Sequence, residues 1–183
     1  VFELIDLDGD TLRRDDLLGK VVIIDFFSVN DDDGSLPYPL ATVLHGNVKR
    51  LYNNVNWEKE PELLLLSVNT GDTLPEIRRY KANMDRQYVK DKPIEPRRWK
   101  FAYGDPEDVY RLAQGALRLD DFVGKKPGDE SFTAKNVALV DKEGRVRRYF
   151  VATDLQSERK IFEDYIALLR LEYGDETKVM RDR

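Results

Sequence analysis

Residues 20–39 read KVVIIDFFSVNDDDGSLPYP, and this stretch decides the fold. It begins as an apolar run from Val21 to Val29 that is interrupted only by Asp25 and Ser28. A run of this kind is typical of a strand buried on both faces of a parallel sheet. A polar turn follows at residues 30–35. Because ligands of open α/β sheets bind at the carboxyl ends of such strands, the sequence predicts the functional site in this turn.

Length and composition indicate one globular domain with a charged surface. The chain has 183 residues, of which 36% are charged, and its net charge is −5. We expect a single domain over residues 1–174 and a charged, frayed tail at 175–183. The modest net charge indicates no nucleic-acid partner. The chain opens on Val1, and we expect a missing N-terminal segment to precede it.

The chain contains no cysteine, one histidine and two methionines. This composition excludes disulfides, thiolate nucleophiles, cysteine-ligated zinc and iron–sulfur clusters within the chain. It therefore excludes thiol oxidoreductase and thiol peroxidase activity. We predict that the protein is not an enzyme and holds no cofactor.

Strand and helix patterns alternate along the chain. The sequence predicts a hairpin at the N-terminus with its turn at Asp8–Asp10, and a second hairpin near the C-terminus. Asp72 or Thr73 is expected to cap one helix, and Asp105 another. The predicted strands lie at residues 2–7, 21–29, 63–69, 100–103, 136–140 and 145–151, and the helices at 40–54, 75–89, 105–115 and 155–173. This order predicts an α/β, thioredoxin-like fold in which helices flank a central mixed sheet and a final helix follows the second hairpin.

Several stretches together resemble the SCO/SenC family, whose thioredoxin-fold members handle copper and thiols during assembly of cytochrome oxidase. The segment GKVVIIDFF alone would also fit peroxiredoxins. The segment GDPEDVYRLA followed by VDKEGRVRRYF is more specific to the SCO/SenC family. The matching pieces cover Phe2 to about Phe150 in the family's order, and they are FELIDLDGDTL, LLGKVVIIDFF, LLLLSVNTGDTLPEIRRY, WKFAYGDPEDVYRLA and VALVDKEGRVRRYF.

The chain departs from this family at the residues that carry its chemistry. Family members have a CxxxC motif directly after the DFF-type strand and a histidine shortly before the VLVD-type strand. Those three side chains bind copper, and the two thiols perform the redox reaction. The corresponding positions here are Asp31, Ser35 and Thr133. The resemblance therefore implies vacant copper and redox positions, because soft Cu(I) needs thiolate, thioether or imidazole ligands.

The polar turn at residues 30–35 offers candidates for metal binding or proton transfer. Asp31, Asp32 and Asp33 could suggest a hard cation such as Ca²⁺ or Mg²⁺, with His45 as a further ligand or a proton-transfer group. Consecutive carboxylates cannot all face one ion without severe turning, so a solvated turn is favoured. A lone histidine on a helix is more often a surface or packing residue.

The segment KDKPIEPRRW at residues 90–99 is a second candidate surface. Arg97 and Arg98 beside Trp99 could form a docking surface, since arginine and aromatic residues are enriched at protein interfaces. An ordinary charged insertion is the favoured alternative.

The sequence favours a non-catalytic SCO/SenC-like scaffold or assembly subunit. By resemblance, we expect a protein partner, plausibly in a respiratory membrane complex, and a periplasmic or other extracytoplasmic location with an N-terminal membrane anchor. One alternative is a metal-binding or acid–base protein that uses Asp31–Asp33 and His45. Another is an extracytoplasmic ligand-binding or sensor domain, for which a deep apolar cavity above Ser35 would be the sign.

Overall fold

The computed structural model describes residues 2–30, 62–88 and 98–151. Within them, a π-helical turn covers Arg111–Ala116, and a 3₁₀ turn covers Asp120–Phe122. The strands are β1 (Glu3–Asp6), β2 (Thr11–Arg13), β3 (Lys20–Phe27), β4 (Glu62–Asn69), β5 (Trp99–Gly104), β6 (Asn136–Val140) and β7 (Val146–Val151), and the helices are α1 (Arg14–Leu17), α2 (Leu74–Tyr88) and α3 (Pro106–Tyr110).

The seven described strands form one mixed sheet in the order β2-β1-β5-β4-β3-β6-β7. β3 and β4 are parallel, with Asp25 opposite Ser67 and Phe27 opposite Asn69. β5 continues the parallel part beside β4, whereas β6 runs antiparallel on the other side of β3. β3 and β4 therefore occupy the centre of the sheet, and their carboxyl ends lie side by side.

Apolar side chains cover both faces of the central strands, as the apolar run in β3 predicts. On one face, Phe26 packs edge-on against Phe122, with ring centroids 5.1 Å apart. On the other face, Phe27 stacks on Tyr80 of α2 at 5.3 Å. Because side chains alternate along a strand, Asp25 lies on the same face as Phe27. A carboxyl group is thereby placed inside the apolar layer between the sheet and α2.

The structure confirms the predicted α/β, thioredoxin-like arrangement in the described ranges. Both hairpins form, and Gly144 N donates to Asp141 O at 2.9 Å in the second turn. Asp105 caps α3 by accepting a hydrogen bond from Glu107 N at 2.9 Å. The expected helices at 40–54 and 155–173, the tail at 175–183 and most of the segment at 90–98 lie outside the described residues.

One local expectation differs from the structure, and at another position the structure decides between two predicted alternatives. β3 ends at Phe27, two residues before the end of the apolar run. The reason is that Ser28 N leaves the ladder and donates to the hydroxyl of Thr133 at 3.1 Å. At the start of α2, Ile77 N bonds Thr73 O, so Thr73 takes the cap position. Asp72 does not cap the helix, and its side chain accepts hydrogen bonds from the residues after β3.

No helix within residues 2–30, 62–88 and 98–151 is long and apolar enough to span a bilayer.

Candidate functional site

Three chain segments meet at the carboxyl end of the sheet: the residues after β3, the residues after β4 and the loop before β6. Main-chain hydrogen bonds join them in pairs. Thr70 N donates to Phe27 O at 3.0 Å, and Ala134 N donates to Phe26 O at 2.9 Å. Thr133, one of the positions that the resemblance marks as vacant, lies at this junction and accepts the hydrogen bond from Ser28 N. Its hydroxyl therefore positions the end of β3.

The carboxylate of Asp72 is the centre of this junction. Its Oδ2 accepts hydrogen bonds from Val29 N and from Asn69 Nδ2, both at 2.7 Å. Its Oδ1 accepts from Asn30 Nδ2 at 3.0 Å and from Ser28 Oγ at 3.1 Å. The Ser131 hydroxyl lies 3.3 Å from the same oxygen. One carboxylate thus collects five donor groups, which come from all three segments.

The turn after β4 is shaped to present this carboxylate. Asn69 Oδ1 accepts from Gly71 N at 3.0 Å and from Asp72 N at 2.7 Å, so the asparagine side chain closes the turn. Gly71 faces the neighbouring loop, and an added Cβ would stand in ordinary van der Waals contact with the Cβ of Ser131, at 3.4 Å. The Thr70 hydroxyl lies 2.8 Å from Phe132 O and 3.0 Å from Phe132 N. The loop before β6 is therefore held to the turn after β4 through the side chains of Thr70 and Asp72.

A second carboxyl group, Asp25, lies deeper in the sheet and is fully buried. Its Oδ1 accepts a hydrogen bond from Ser67 Oγ at 2.7 Å, and Ser67 Oγ in turn accepts one from Trp99 Nε1 at 3.2 Å. Its Oδ2 finds no hydrogen-bond partner among the described residues. Burial raises the pKa of Asp25 to about 7, against the opposing effect of the Ser67 hydrogen bond.

A polar pocket of about 370 Å³ opens beside the junction, lined by Asn30, Lys125, Glu130, Ser131 and Phe132. Ser131 belongs both to this pocket and to the group of side chains around Asp72. A deep apolar cavity above Ser35 is the predicted sign of a ligand-binding or sensor domain; Ser35 lies outside the described residues, so that alternative stays a prediction.

Several residues predicted from the sequence cannot be placed in the site. Asp31, Asp32, Asp33, Ser35 and His45 lie outside the described residues. The predicted vacancy at Asp31 and Ser35, and the alternative metal or acid–base site, therefore stay predictions.

The structure places only part of the predicted docking surface of Arg97, Arg98 and Trp99. Arg97 lies outside the described ranges, and Arg98 directly precedes β5. Trp99 is only 4% exposed, and its indole N–H points inward to Ser67. The expectation that Trp99 offers a docking surface is wrong, because this side chain is part of the core.

The sequence reasoning missed the residues that form the centre of the site. The sequence pattern marks Asp72 only as a candidate helix cap and assigns no role to Asn69, Ser28 or Ser131. A usable signal is the pair of polar sequences SVN that end both predicted central strands, at residues 28–30 and 67–69. Polar side chains at the carboxyl ends of adjacent parallel strands must lie close together.

The described residues do not fit a copper ion. At the junction the available donors are hydroxyl, amide and carboxylate oxygens, whereas Cu(I) binds soft sulfur and imidazole ligands. The Thr133 hydroxyl already accepts a main-chain hydrogen bond. The described part of the chain holds no group of three or more His, Asp or Glu side chains that could bind a metal ion.

No family model matches the sequence, and no curated protein sequence matches it. Solved structures do match. Yeast Sco1 with copper bound superposes with a TM-score of 0.65 at 18% identity, covering 96% of this chain and 93% of that one. BsSco, a member of the Sco family of cytochrome c oxidase assembly proteins in which a disulfide switch was identified, gives 0.57 at 17%, covering 89% and 91%.

A SCO1/SenC family lipoprotein from Bacillus anthracis str. Ames also matches, with a TM-score of 0.57 at 16% identity, over 87% of this chain and 90% of that one. At these identities the likeness is one of fold. It confirms, at the level of fold, the resemblance drawn from the sequence. The chain has the thioredoxin-like fold of the Sco proteins, and a divergent chain of this kind without cysteine fits that likeness.

Proposed function

We propose that this protein is a Sco-like scaffold or assembly subunit that performs neither copper transfer nor thiol exchange. The absence of cysteine from the chain removes the nucleophiles that thiol exchange requires. The position matching the family's histidine is Thr133, whose hydroxyl serves a structural hydrogen bond. What is retained is the scaffold that surrounds those positions.

The hydrogen bonds of Asp72 are the single observation that carries this proposal. In the family, side chains after the DFF-type strand and before the VLVD-type strand are joined by binding one copper ion. Here the corresponding segments are joined through Ser28, Val29 and Ser131 to one carboxylate. A partly buried carboxylate surrounded by donors stabilises a fixed arrangement. This arrangement supports a rigid surface for a partner.

The fold likeness supports a proposed partner and a proposed location. BsSco belongs to the Sco family of cytochrome c oxidase assembly proteins, and the Bacillus anthracis structure is that of a lipoprotein. By analogy, this chain acts in assembly of a respiratory membrane complex, on the periplasmic or an equivalent extracytoplasmic side. An N-terminal anchor would hold it at the membrane. Arg97 and Arg98 remain candidates for the docking surface.

Complementation of the native function tests the proposal. Deleting the gene should lower cytochrome oxidase assembly, and both the wild-type protein and Thr133→Val should restore it, because no side chain at the former copper positions performs chemistry. The wild-type protein should also co-purify with oxidase subunits from solubilised membranes, in excess over an equally tagged unrelated membrane protein. Restoration by the wild type but not by a folded Thr133→Val protein would contradict a non-catalytic role.

A titration with Ca²⁺ and Mg²⁺ tests the metal-binding alternative. The proposal predicts no stoichiometric binding in the micromolar range. Stoichiometric binding that is lost in Asp31→Ala and retained in Asp129→Ala would overturn the scaffold function in favour of a rebuilt metal site. Asp129 is a suitable control because its side chain caps Lys126 N within its own loop, at 2.7 Å.

A further inference from the structure

The pocket beside the Asp72 junction is built on the loop that follows the 3₁₀ turn at Asp120–Phe122. Phe122 is 4% exposed and anchors the loop in the core, where its ring centroid lies 4.9 Å from that of Phe132. Lys125 N donates to Phe122 O at 3.2 Å, and Asp129 N donates to Lys126 O at 3.1 Å. These contacts tie the main chain of the loop to the core and to itself.

Lys125 supplies a positioned cation to the lining of the pocket. Its Nζ lies 3.8 Å from the centroid of the Phe132 ring, which holds the ammonium group by a cation–π contact. No described carboxylate lies within ion-pair distance of it. An aromatic ring attracts the ammonium without neutralising its charge, so Lys125 can still bind an anionic group of a ligand.

Glu130 supplies the opposite charge at the same pocket. Within the described ranges it has no ion-pair partner, and Lys125 is not within ion-pair distance of it. The Ser131 hydroxyl and the Asn30 amide also line the pocket and offer further hydrogen bonds. A pocket lined by one cationic and one anionic side chain disfavours a ligand of either sign alone and favours one that carries both charges.

We propose that this pocket binds a small zwitterion, a free molecule with a carboxylate and an ammonium group, of which an α-amino acid is the simplest kind. Lys125 holds the carboxylate, and Glu130 holds the ammonium group. The volume of about 370 Å³ is within the range of small-molecule sites. This binding site goes beyond the scaffold function, and neither depends on the other.

Calorimetric titration of the intact protein with the standard amino acids tests the site. At least one amino acid should bind with a Kd of about 1 mM or lower. The analogue of that amino acid without the ammonium group, and the amine without the carboxylate, should each bind at least about tenfold more weakly. Absence of binding by all amino acids, or equal binding of the ligand and its two analogues, would overturn the proposal.

Paired variants assign the roles of the two charged residues. Lys125→Met should weaken binding at least about tenfold, whereas Lys126→Met, the same change one residue along at an exposed position, should leave it unchanged. Glu130→Gln should abolish the preference for the ammonium-bearing ligand. Equal losses in the two lysine variants, or an unchanged preference in Glu130→Gln, would contradict the assignment. Unchanged melting temperatures establish that all three variants fold.

Discussion

Asp25 and Asp72 are two carboxyl groups on the same pair of central strands, and their surroundings are opposite. Asp25 lies inside the sheet opposite Ser67, receives one side-chain hydrogen bond and has one oxygen without a described partner. Asp72 lies just beyond the end of β4 and collects five donor groups. The comparison shows that the supply of donors decides whether a carboxylate stabilises its surroundings or is better kept neutral.

The difference has a functional side. The interior carboxyl group of Asp25 lies in the layer between the sheet and α2, away from solvent. The carboxylate of Asp72 joins the three chain segments that meet at the carboxyl end of the sheet. Each of the following variants tests one side of this contrast.

Replacement of Asp72 should have the largest effect. Asp72→Ala removes the carboxylate that accepts from Val29 N and from the buried Ser28 and Asn69 side chains, so the free energy of unfolding should fall by roughly 4 kcal/mol. Urea denaturation at neutral pH measures this loss. Asp85→Ala is the control, since Asp85 makes only a half-exposed ion pair with Lys81 and should cost about 0.5 kcal/mol. A loss for Asp72→Ala no larger than for the control would remove Asp72 as the centre of the junction.

Asp25→Asn should raise the free energy of unfolding, and the size of this increase should depend on pH. The pKa of Asp25 is raised from 3.8 to about 7 on folding, so its contribution to stability is fully present below pH 4 and is lost as pH rises to 7. Asparagine keeps the acceptor for Ser67 and cannot ionise. The variant should therefore be more stable than the wild type at pH 8, by on the order of 3 kcal/mol, and about equal to it at pH 4. Chemical denaturation at both pH values measures this difference, and equal stabilisation at both would contradict a buried, proton-binding Asp25.

Ser67→Ala should have an intermediate effect. The change removes the hydrogen bond to Asp25 and the acceptor of the Trp99 indole, and we expect a loss of about 2 kcal/mol at pH 5. Trp99→Phe serves as a partial control in the same denaturation series, because it removes the indole donor and retains the bond from Ser67 to Asp25. The pKa of Asp25, followed by NMR titration, should rise further in Ser67→Ala. An unchanged pKa would show that Ser67 does not interact with the carboxyl group.

Thr133→Val should have the smallest effect. Valine has the shape of threonine without the hydroxyl that accepts from Ser28 N, so the expected loss is about 1 kcal/mol. Thr133→Ser retains the acceptor and should lose less. Thermal unfolding of the two variants distinguishes them. Equal losses would indicate that the methyl group, and not the hydrogen bond, is what Thr133 contributes.

The strands that carry the site could be predicted from the sequence because their burial is local information. Two runs are apolar at almost every position, from Val21 to Phe27 and from Leu63 to Leu66. This pattern is typical of strands that are buried on both faces of a sheet. Asp105 with Pro106 predicts the start of α3 for an equally local reason. The same apolar pattern located the carboxyl end of β3 as the place of interest.

The centre of the site could not be predicted because it depends on contacts distant in sequence. Asp72 meets Ser28 and Ser131 only after the parallel register of β3 and β4 and the course of the loop before β6 are set. Asp72 and Thr73 are equally suitable helix caps by composition, and only the structure shows which of the two faces the junction. Likewise, Trp99 beside an arginine pair has the composition of a docking surface, yet the register of β5 places it in the core.

A Cu(I) competition titration tests the central claim most directly, with the wild-type protein beside the variant Asp31→Cys, Ser35→Cys, Thr133→His. The account predicts that the wild type takes no Cu(I) from a chromogenic chelator. The variant, in which the three family ligands are restored on a retained scaffold, should take one equivalent. Stoichiometric Cu(I) binding by the wild-type protein would contradict the account, as would a folded triple variant that binds no more copper than the wild type.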